Sequence, residues 1–238
     1  LNNEFIYQGK ELELFEQAHN WKSYLLSRIS QYLKGDVLEV GAGIGSATRA
    51  FNAGTAVTWT MLEPDARQCQ YLQAIRNQFP SNIAIVCGDL AVVARKKFDV
   101  ILYIDVLEHI ENDRQELKNA AALLNEKGVL IVLSPAFQFL FSEFDQSIGH
   151  YRRYAASELK QLTPPDLELL QLEYLDSLGF FASFMNKYLL RQSYPTVSQL
   201  RFWDRTLIPV SRLADRVTGH TFGKSILAVW EKNGHAAT

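Results

Sequence analysis

The chain has 238 residues, 47% of them apolar, and a formal net charge of −2. That length and composition suit one α/β domain with a full-sized core, and the charge offers no global attraction for nucleic acid or an anionic membrane. No apolar stretch reaches the roughly 18 residues that span a bilayer.

Cys69 and Cys87 make no metal spacing and no disulfide framework, which fits a reducing compartment. Leu1 to Glu16 is polar and acidic, unlike a signal peptide. A soluble, cytoplasmic protein is expected.

From Phe5 to Gln31, Leu12, Phe15, Ala18, His19, Tyr24, Leu25, Leu26 and Ile29 recur near helical spacing and predict one or two helices. Val37, Leu38 and Val40 then form a short apolar run, as in a strand buried on both faces. Gly41, Gly43 and Gly45 follow, and Ser46 opens a helix. Strand, glycine turn and helix N-terminus make a nucleotide-cofactor cradle, because glycine accepts positive φ and lets a ligand approach the main chain. The spacing is G-x-G-x-G and lacks the last interval of the dinucleotide fingerprint. Glu39, just before the turn, suits a ligand with a cationic amino group better than a pyrophosphate.

Val57 to Leu62 is the second strand and ends at Glu63-Pro64-Asp65. An acid about 20 residues past the glycines is where Rossmann-like folds grip ribose hydroxyls, so Glu63 is the expected ribose ligand. Asp65 caps the next helix, which carries Gln68, Tyr71, Leu72 and Ile75. Ile83 to Cys87 is the third strand, ending in Gly88-Asp89-Leu90. Phe98 to Ile104 is the fourth and runs into Asp105. Asn112 or Asp113 caps a helix whose Leu117, Ala120, Ala121 and Leu124 face the sheet. After a Glu126-Lys127-Gly128 turn comes a fifth strand, Val129 to Leu133, ending in Ser134-Pro135-Ala136. Candidate ligands thus gather at the carboxyl edge, where open α/β sheets bind them.

Glu39-Val40-Gly41-Ala42-Gly43-Ile44-Gly45 resembles the first motif of the class I S-adenosylmethionine-dependent methyltransferases, and Phe98 to Ile110 is similar to that family's fourth-strand segment. The resemblance implies an α/β, Rossmann-like, doubly wound seven-stranded sheet. It is mostly parallel with an antiparallel last strand, N-terminal helices and a helical cap insertion. The methyl donor would be S-adenosylmethionine and the product S-adenosylhomocysteine, with no metal required. Carried onto this chain, the cofactor positions are Glu39, Gly41, Ala42, Gly43, Gly45, Glu63, Pro64, Gly88, Asp89, Leu90, Ile104 and Asp105. Asp89 would meet the adenine amino group, and Ile104 and Asp105 the methionine portion. Tyr7, Trp21 and Tyr24 would either cover the cofactor or belong to an ordinary amphipathic core helix.

Asp145 and Gly149-His150-Tyr151-Arg152-Arg153-Tyr154 resemble the D…GHYRRY signature of one methyltransferase subfamily. Phe137 to Tyr154 is then a lid, with His109, Asp145, His150, Tyr151 and Arg152 toward the acceptor. His150 is either a general base or a strut bonded to Asp145; Asp105 is the second catalytic candidate. Arg152 and Arg153 either hold an acidic acceptor or pair with neighbouring acids. A metal alternative rests on Asp105, Glu108 and His109, a D-x-x-E-H run resembling the E-x-x-E-H cluster of some related enzymes.

Ala156 to Leu162 reads as a helix stopped by Pro164-Pro165, and Leu167 to Leu175 as a strand. Leu178 to Leu190 is apolar around much of a helix. Core packing is its ordinary reading, with an acceptor pocket, a dimer contact or a membrane surface as alternatives. Ser225 to Glu231 is the final strand and Asn233 to Thr238 a frayed tail. The expected organisation is one domain over 1–238: an N-terminal helical segment (1–34), a cofactor core (35–135), a lid and cap (136–222) and the last strand (223–233). The expected activity is methyl transfer to an oxygen, nitrogen or carbon of a small hydrophobic or glycolipid-like acceptor. No nucleic-acid partner is expected; peripheral membrane contact or a lipid-linked substrate is the alternative. The rival readings are a non-catalytic S-adenosylmethionine-binding partner domain and a nicotinamide-dependent oxidoreductase, the second opposed by the glycine spacing and Glu39.

Overall fold

The computed structural model describes residues 15–52, 56–190 and 194–234. Tyr7, Leu12 and the tail from 235 onward lie outside them. Within the first stretch, α1 (His19–Ile29) precedes β1 (Gly35–Val40), and α2 (Ser46–Phe51) follows the glycine turn. Next come β2 (Ala56–Glu63), α3 (Ala66–Ala74), β3 (Ile83–Cys87), β4 (Phe98–Ile104), α4 (Asp113–Leu123) and β5 (Leu124–Pro135). A short α5 (Glu143–Ser147) and α6 (Ala156–Leu162) lead to β6 (Leu167–Leu175). The cap is α7 (Ser177–Met185), α8 (Val197–Phe202) and α9 (Ile208–Val217), and β7 (Ser225–Lys232) closes the chain.

The seven strands lie in the order β3-β2-β1-β4-β5-β7-β6. The first five are mutually parallel, and β7 runs antiparallel between β5 and β6. Parallel strands under helices on both faces need apolar side chains on both sides. Val37 and Leu38 on β1 and Ile101, Leu102 and Tyr103 on β4 are accordingly buried. The chain winds outward in opposite directions from β1 and β4, and the crevice at that reversal is where such sheets take ligands. The glycine turn and Asp105 open onto it.

Four expectations change. Cys69 and Cys87 are joined in a disulfide, with Cα atoms 5.7 Å apart. The β2–β3 register sets Glu63 opposite Cys87, which brings the end of β3 beneath α3. Cysteine usage therefore gives no argument for a reducing compartment. Glu126-Lys127-Gly128 is not a separate turn: β5 begins at Leu124 and takes up the irregularity with Lys127 at φ 60°. In the lid, Phe137 stacks on Tyr174 at 4.7 Å and meets Phe180 edge-on at 5.5 Å, so its first aromatic residue packs under the cap. The segment 178–190 is core only at its start, where Gly179 is buried and Phe180 packs against Phe137. Phe181, Phe184, Met185, Tyr188 and Leu189 face solvent, and its end is a π-helical turn, Asn186–Leu190.

Candidate active site

The glycine turn is held by carboxylates. Glu63, buried at the end of β2, accepts the Gly43 N–H on Oε2 at 2.6 Å and the Asp65 N–H on Oε1 at 2.8 Å. Burial raises its pKa, and these two donors oppose the shift. A carboxylate has about four acceptor directions, so both oxygens can still take a hydroxyl. Glu39 is buried on β1 and accepts from Thr48 Oγ1 and, at 2.9 Å, from Trp59 Nε1. Burial pushes its carboxyl up to about 7 against those hydrogen bonds. Gly41 has φ 68°, and a methyl there would come 2.6 Å from Val106 Cγ2. Gly45, the α2 N-cap at φ 79°, packs against Phe79 and Met61.

A cavity of about 660 Å³ runs along this edge, roofed by Trp21 and Leu25 of α1 and closed at its far end by Gly149, His150 and Tyr151. Of the expected positions, Glu39, Gly41, Ala42, Gly43, Glu63, Pro64, Ile104, Asp105, His109, His150 and Tyr151 line it. Gly45, Gly88, Asp89, Leu90, Asp145 and Arg152 stand back from it. Asp89 is exposed and caps the Ala91 N–H at 3.0 Å, while Leu90 is buried. Arg152 pairs with Asp113 at 2.8 Å and donates to the Glu111 carbonyl at 2.8 Å. Its fork is committed to the protein, not turned toward an acceptor.

Lys22 and Phe15 are among the lining residues that were not expected at the site. Lys22 donates to Ser46 Oγ and, at 2.6 Å, to the Glu16 carbonyl, tying α1 over α2; burial lowers its pKa. Phe15 adds an apolar wall. The Lys22–Ser46 contact joins segments 24 residues apart, so no local pattern marks it.

At the far end stands a charged cluster. Asp105 follows β4 in the left-handed region, φ 54°, with its N–H on the Leu133 carbonyl at 2.9 Å. It opens to the cavity, and the protein around it pushes its carboxyl up to about 6, an effect relieved by His150, Lys224 and Arg153. Asp145 accepts from Arg153 Nε and Nη2, both at 2.9 Å, and from Ser142 N and Oγ, both at 2.8 Å. It also meets His150 Nδ1 at 3.0 Å. Burial alone would raise its pKa; the His150 bond and the Arg153 charge outweigh that and hold it well below the usual carboxylate range.

His150 Nε2 points back toward Glu108, 3.8 Å from Oε1. Neither Glu108 oxygen has a hydrogen-bond partner among the described residues. Burial, then the Asp105 charge, raises its carboxyl well above the usual range. His109 packs edge-on against His150 at 4.5 Å, and burial lowers its pKa to about 3, so it is neutral. Glu108, His109 and His150 offer ligand atoms all within 4.8 Å of one another. These three, without Asp105, are the residues placed to hold a divalent ion.

A glycine turn with no room for a Cβ at Gly41 or Gly45, two buried acids beside it and a long cavity fit a cofactor with a ribose and a cationic tail. A family model described as a methyltransferase domain matches residues 14–174. The chain belongs to that family. A Clostridium acetobutylicum S-adenosylmethionine-dependent methyltransferase superposes with a TM-score of 0.58 at 12% identity, over 92% of this chain and 93% of that one. That likeness establishes the class I methyltransferase fold. The demethylmenaquinone methyltransferase of Tropheryma whipplei (strain Twist) is 32% identical over 126 residues, 51% of this chain and 50% of the relative. A ubiquinone biosynthesis O-methyltransferase of Coxiella burnetii (strain RSA 493 / Nine Mile phase I) is 31% identical over 102 residues, 41% of this chain and 43% of the relative. The chain thus spans about half the length of the curated relatives it matches. The cofactor of this methyltransferase domain is S-adenosylmethionine. Among its described residues no helix is long and apolar enough to cross a membrane.

Proposed function

We propose that this domain methylates a hydroxyl oxygen, or the ring carbon it activates, of a small apolar acceptor of the quinol or phenol kind. The carrying observation is His150, held from behind by Asp145 at 3.0 Å, lining the same cavity as the glycine turn. Glu39, the backbone from Gly41 to Gly43 and Glu63 would hold S-adenosylmethionine, whose sulfonium supplies an electrophilic methyl group. What remains for the protein is alignment and exclusion of water, plus removal of a proton where the acceptor is a neutral hydroxyl.

His150 is built for that removal. With Nδ1–H donated to an ionised Asp145, the lone pair lies on Nε2, the tautomer a general base needs. The acceptor hydroxyl would reach Nε2 on the side of Glu108, whose Oε1 stands 3.8 Å from that nitrogen, and its proton would pass there as the O–CH3 bond forms and the sulfonium C–S bond breaks to leave S-adenosylhomocysteine. Asp105, held at a strained backbone position beside it, is placed to orient the acceptor. The similarity to quinone-pathway methyltransferases favours a ring-bearing acceptor, and the apolar walls formed by Phe15, Trp21 and Tyr151 suit one.

The test is turnover with S-adenosylmethionine and a panel of quinols and catechols, beside calorimetric binding of S-adenosylhomocysteine with NADH as control. His150→Ala should slow turnover by about 10²–10⁴-fold and leave S-adenosylhomocysteine affinity unchanged. Full turnover in that variant would make His150 a strut of the lid and not its base.

A further inference from the structure

Helix α9 buries polar side chains beside Ile208 and shows a row of aliphatic ones to solvent. On α9, Ser211 and Asp215 face the interior, while Val210, Leu213 and Val217 point outward, Leu213 at 65% and Val217 at 83% exposure. The spacing is a helical stripe. Asp215 is drawn inward by Tyr24 Oη at 2.8 Å and by the N–H groups of Asp176 and Ser177 at 2.8 and 3.0 Å. Asp204, in the π-helical turn Trp203–Leu207 that joins α8 to α9, is buried on the Trp21 N–H at 2.9 Å.

These are the only two acids between 177 and 217, and both are spent inside the fold. Of the described cations in this stretch, Arg201, Arg205 and Arg216 are exposed, Lys187 and Arg212 are half-buried, and none is in a salt bridge among the described residues. The overall charge of −2 conceals a segment, 177–217, whose exposed charged side chains among the described residues are all cationic.

Helices α7 and α9 pack on one another, and Phe181, Met185 and Leu189 carry the apolar surface on from α9. Between α7 and α8, beside Met185 and Phe202, opens a second cavity of about 340 Å³. Phe15 borders both this cavity and the cofactor cavity.

We propose that the cap docks on an anionic phospholipid bilayer, with the aliphatic stripe sunk among the acyl chains and the arginines at the phosphates. Exposed apolar side chains ringed by arginines gain from both terms at once: burial of area and attraction to acidic headgroups. A neutral surface would gain nothing from arginines that no exposed acid of the same segment offsets. The groove beside Met185 then opens toward the lipid and gives a membrane-dissolved acceptor a path to the cavity. Docking stands apart from the methyl transfer proposed above; only its purpose rests on that reading.

The experiment is co-sedimentation of the full chain with vesicles of phosphatidylcholine alone and of phosphatidylcholine mixed with phosphatidylglycerol. Binding to the mixed vesicles only, weakening as salt rises, is expected. The triple variant Arg201→Gln, Arg205→Gln, Arg216→Gln should bind roughly 100-fold more weakly, from about 1 kcal/mol per basic residue at an anionic surface. Leu213→Ser with Val217→Ser should also release the protein. Unaltered S-adenosylhomocysteine affinity in both variants reports intact folding and keeps a docking failure separate from failure of the catalytic reading. Equal binding to both vesicle types overturns the proposal, as does no binding at all. Absence of vesicle binding together with a dimer in sedimentation that Leu213→Ser dissociates would assign the face to a second copy of this chain.

Discussion

Replacing Asp145 by Asn tests the centre of the candidate site most directly. The side chain is 1% exposed and its partner Arg153 is 8% exposed, so neither is rescued by water. Asn keeps the shape but loses the charge that balances the guanidinium and one of the oxygens that receive the Arg153 fork. Breaking a buried pair from one side costs about 3–5 kcal/mol. For a chain of this size each kcal/mol moves Tm by about 2–4 °C, so the variant should melt about 6–20 °C lower at neutral pH.

The pH dependence has a definite sign. Asp145 has a depressed folded pKa, so its contribution is present above the unfolded carboxylate value and is lost as pH falls through the folded one. The gap between wild type and variant should therefore be full at pH 7 and narrow in acid. Differential scanning calorimetry across that range is the assay, with S-adenosylhomocysteine titration as a control, since Asp145 stands back from the cofactor cavity. Turnover should also fall, because an amide can hold His150 Nδ1 in the wrong tautomer. A Tm loss below about 2 °C at neutral pH, less than one kcal/mol on that scale, would refute the buried strut.

Glu63→Ala removes the acceptor that clamps Gly43 and faces the ribose position; calorimetry should find S-adenosylhomocysteine binding about 10–100-fold weaker, from charged hydrogen bonds worth roughly 1.5–3 kcal/mol, and unchanged affinity would remove Glu63 from the cofactor site. Glu39, pushed up to about 7, should take part in a proton exchange. A cationic ligand tail favours its ionised form, so at pH 6 binding should release a proton, read as a dependence of the binding enthalpy on buffer. The same raised pKa means its contribution to ligand-free stability is present below about 4.5 and is lost as pH rises through about 7; Glu39→Gln should abolish both effects.

Local pattern carried much of this protein. Apolar runs of strand length, separated by caps such as Asp65 and Asn112, announced alternating strands and helices, because each element's boundary chemistry is written within a few residues. The glycine turn was equally legible: positive φ at Gly41 and Gly43 is a demand on residue type that few other side chains meet. The acid at the end of β2 followed from spacing, since strand and helix lengths fix how far the chain travels before it returns to the same edge.

Other features were decided only in three dimensions. Nothing near Asp89 or Arg152 in sequence says that one would cap its own turn and the other would pair with Asp113. Cys69 and Cys87 met because α3 packs over the end of β3, a contact between segments that no local spacing encodes. The face of α9 shows the limit most clearly. Its pattern of aliphatic and polar residues fits either orientation, and periodicity alone favours aliphatics inward. Tyr24 Oη and the backbone N–H groups of Asp176 and Ser177, from elements far along the chain, claimed Asp215 for the interior and turned Leu213 and Val217 to the outside. A buried carboxylate goes where its donors are, and only the assembled fold says where that is.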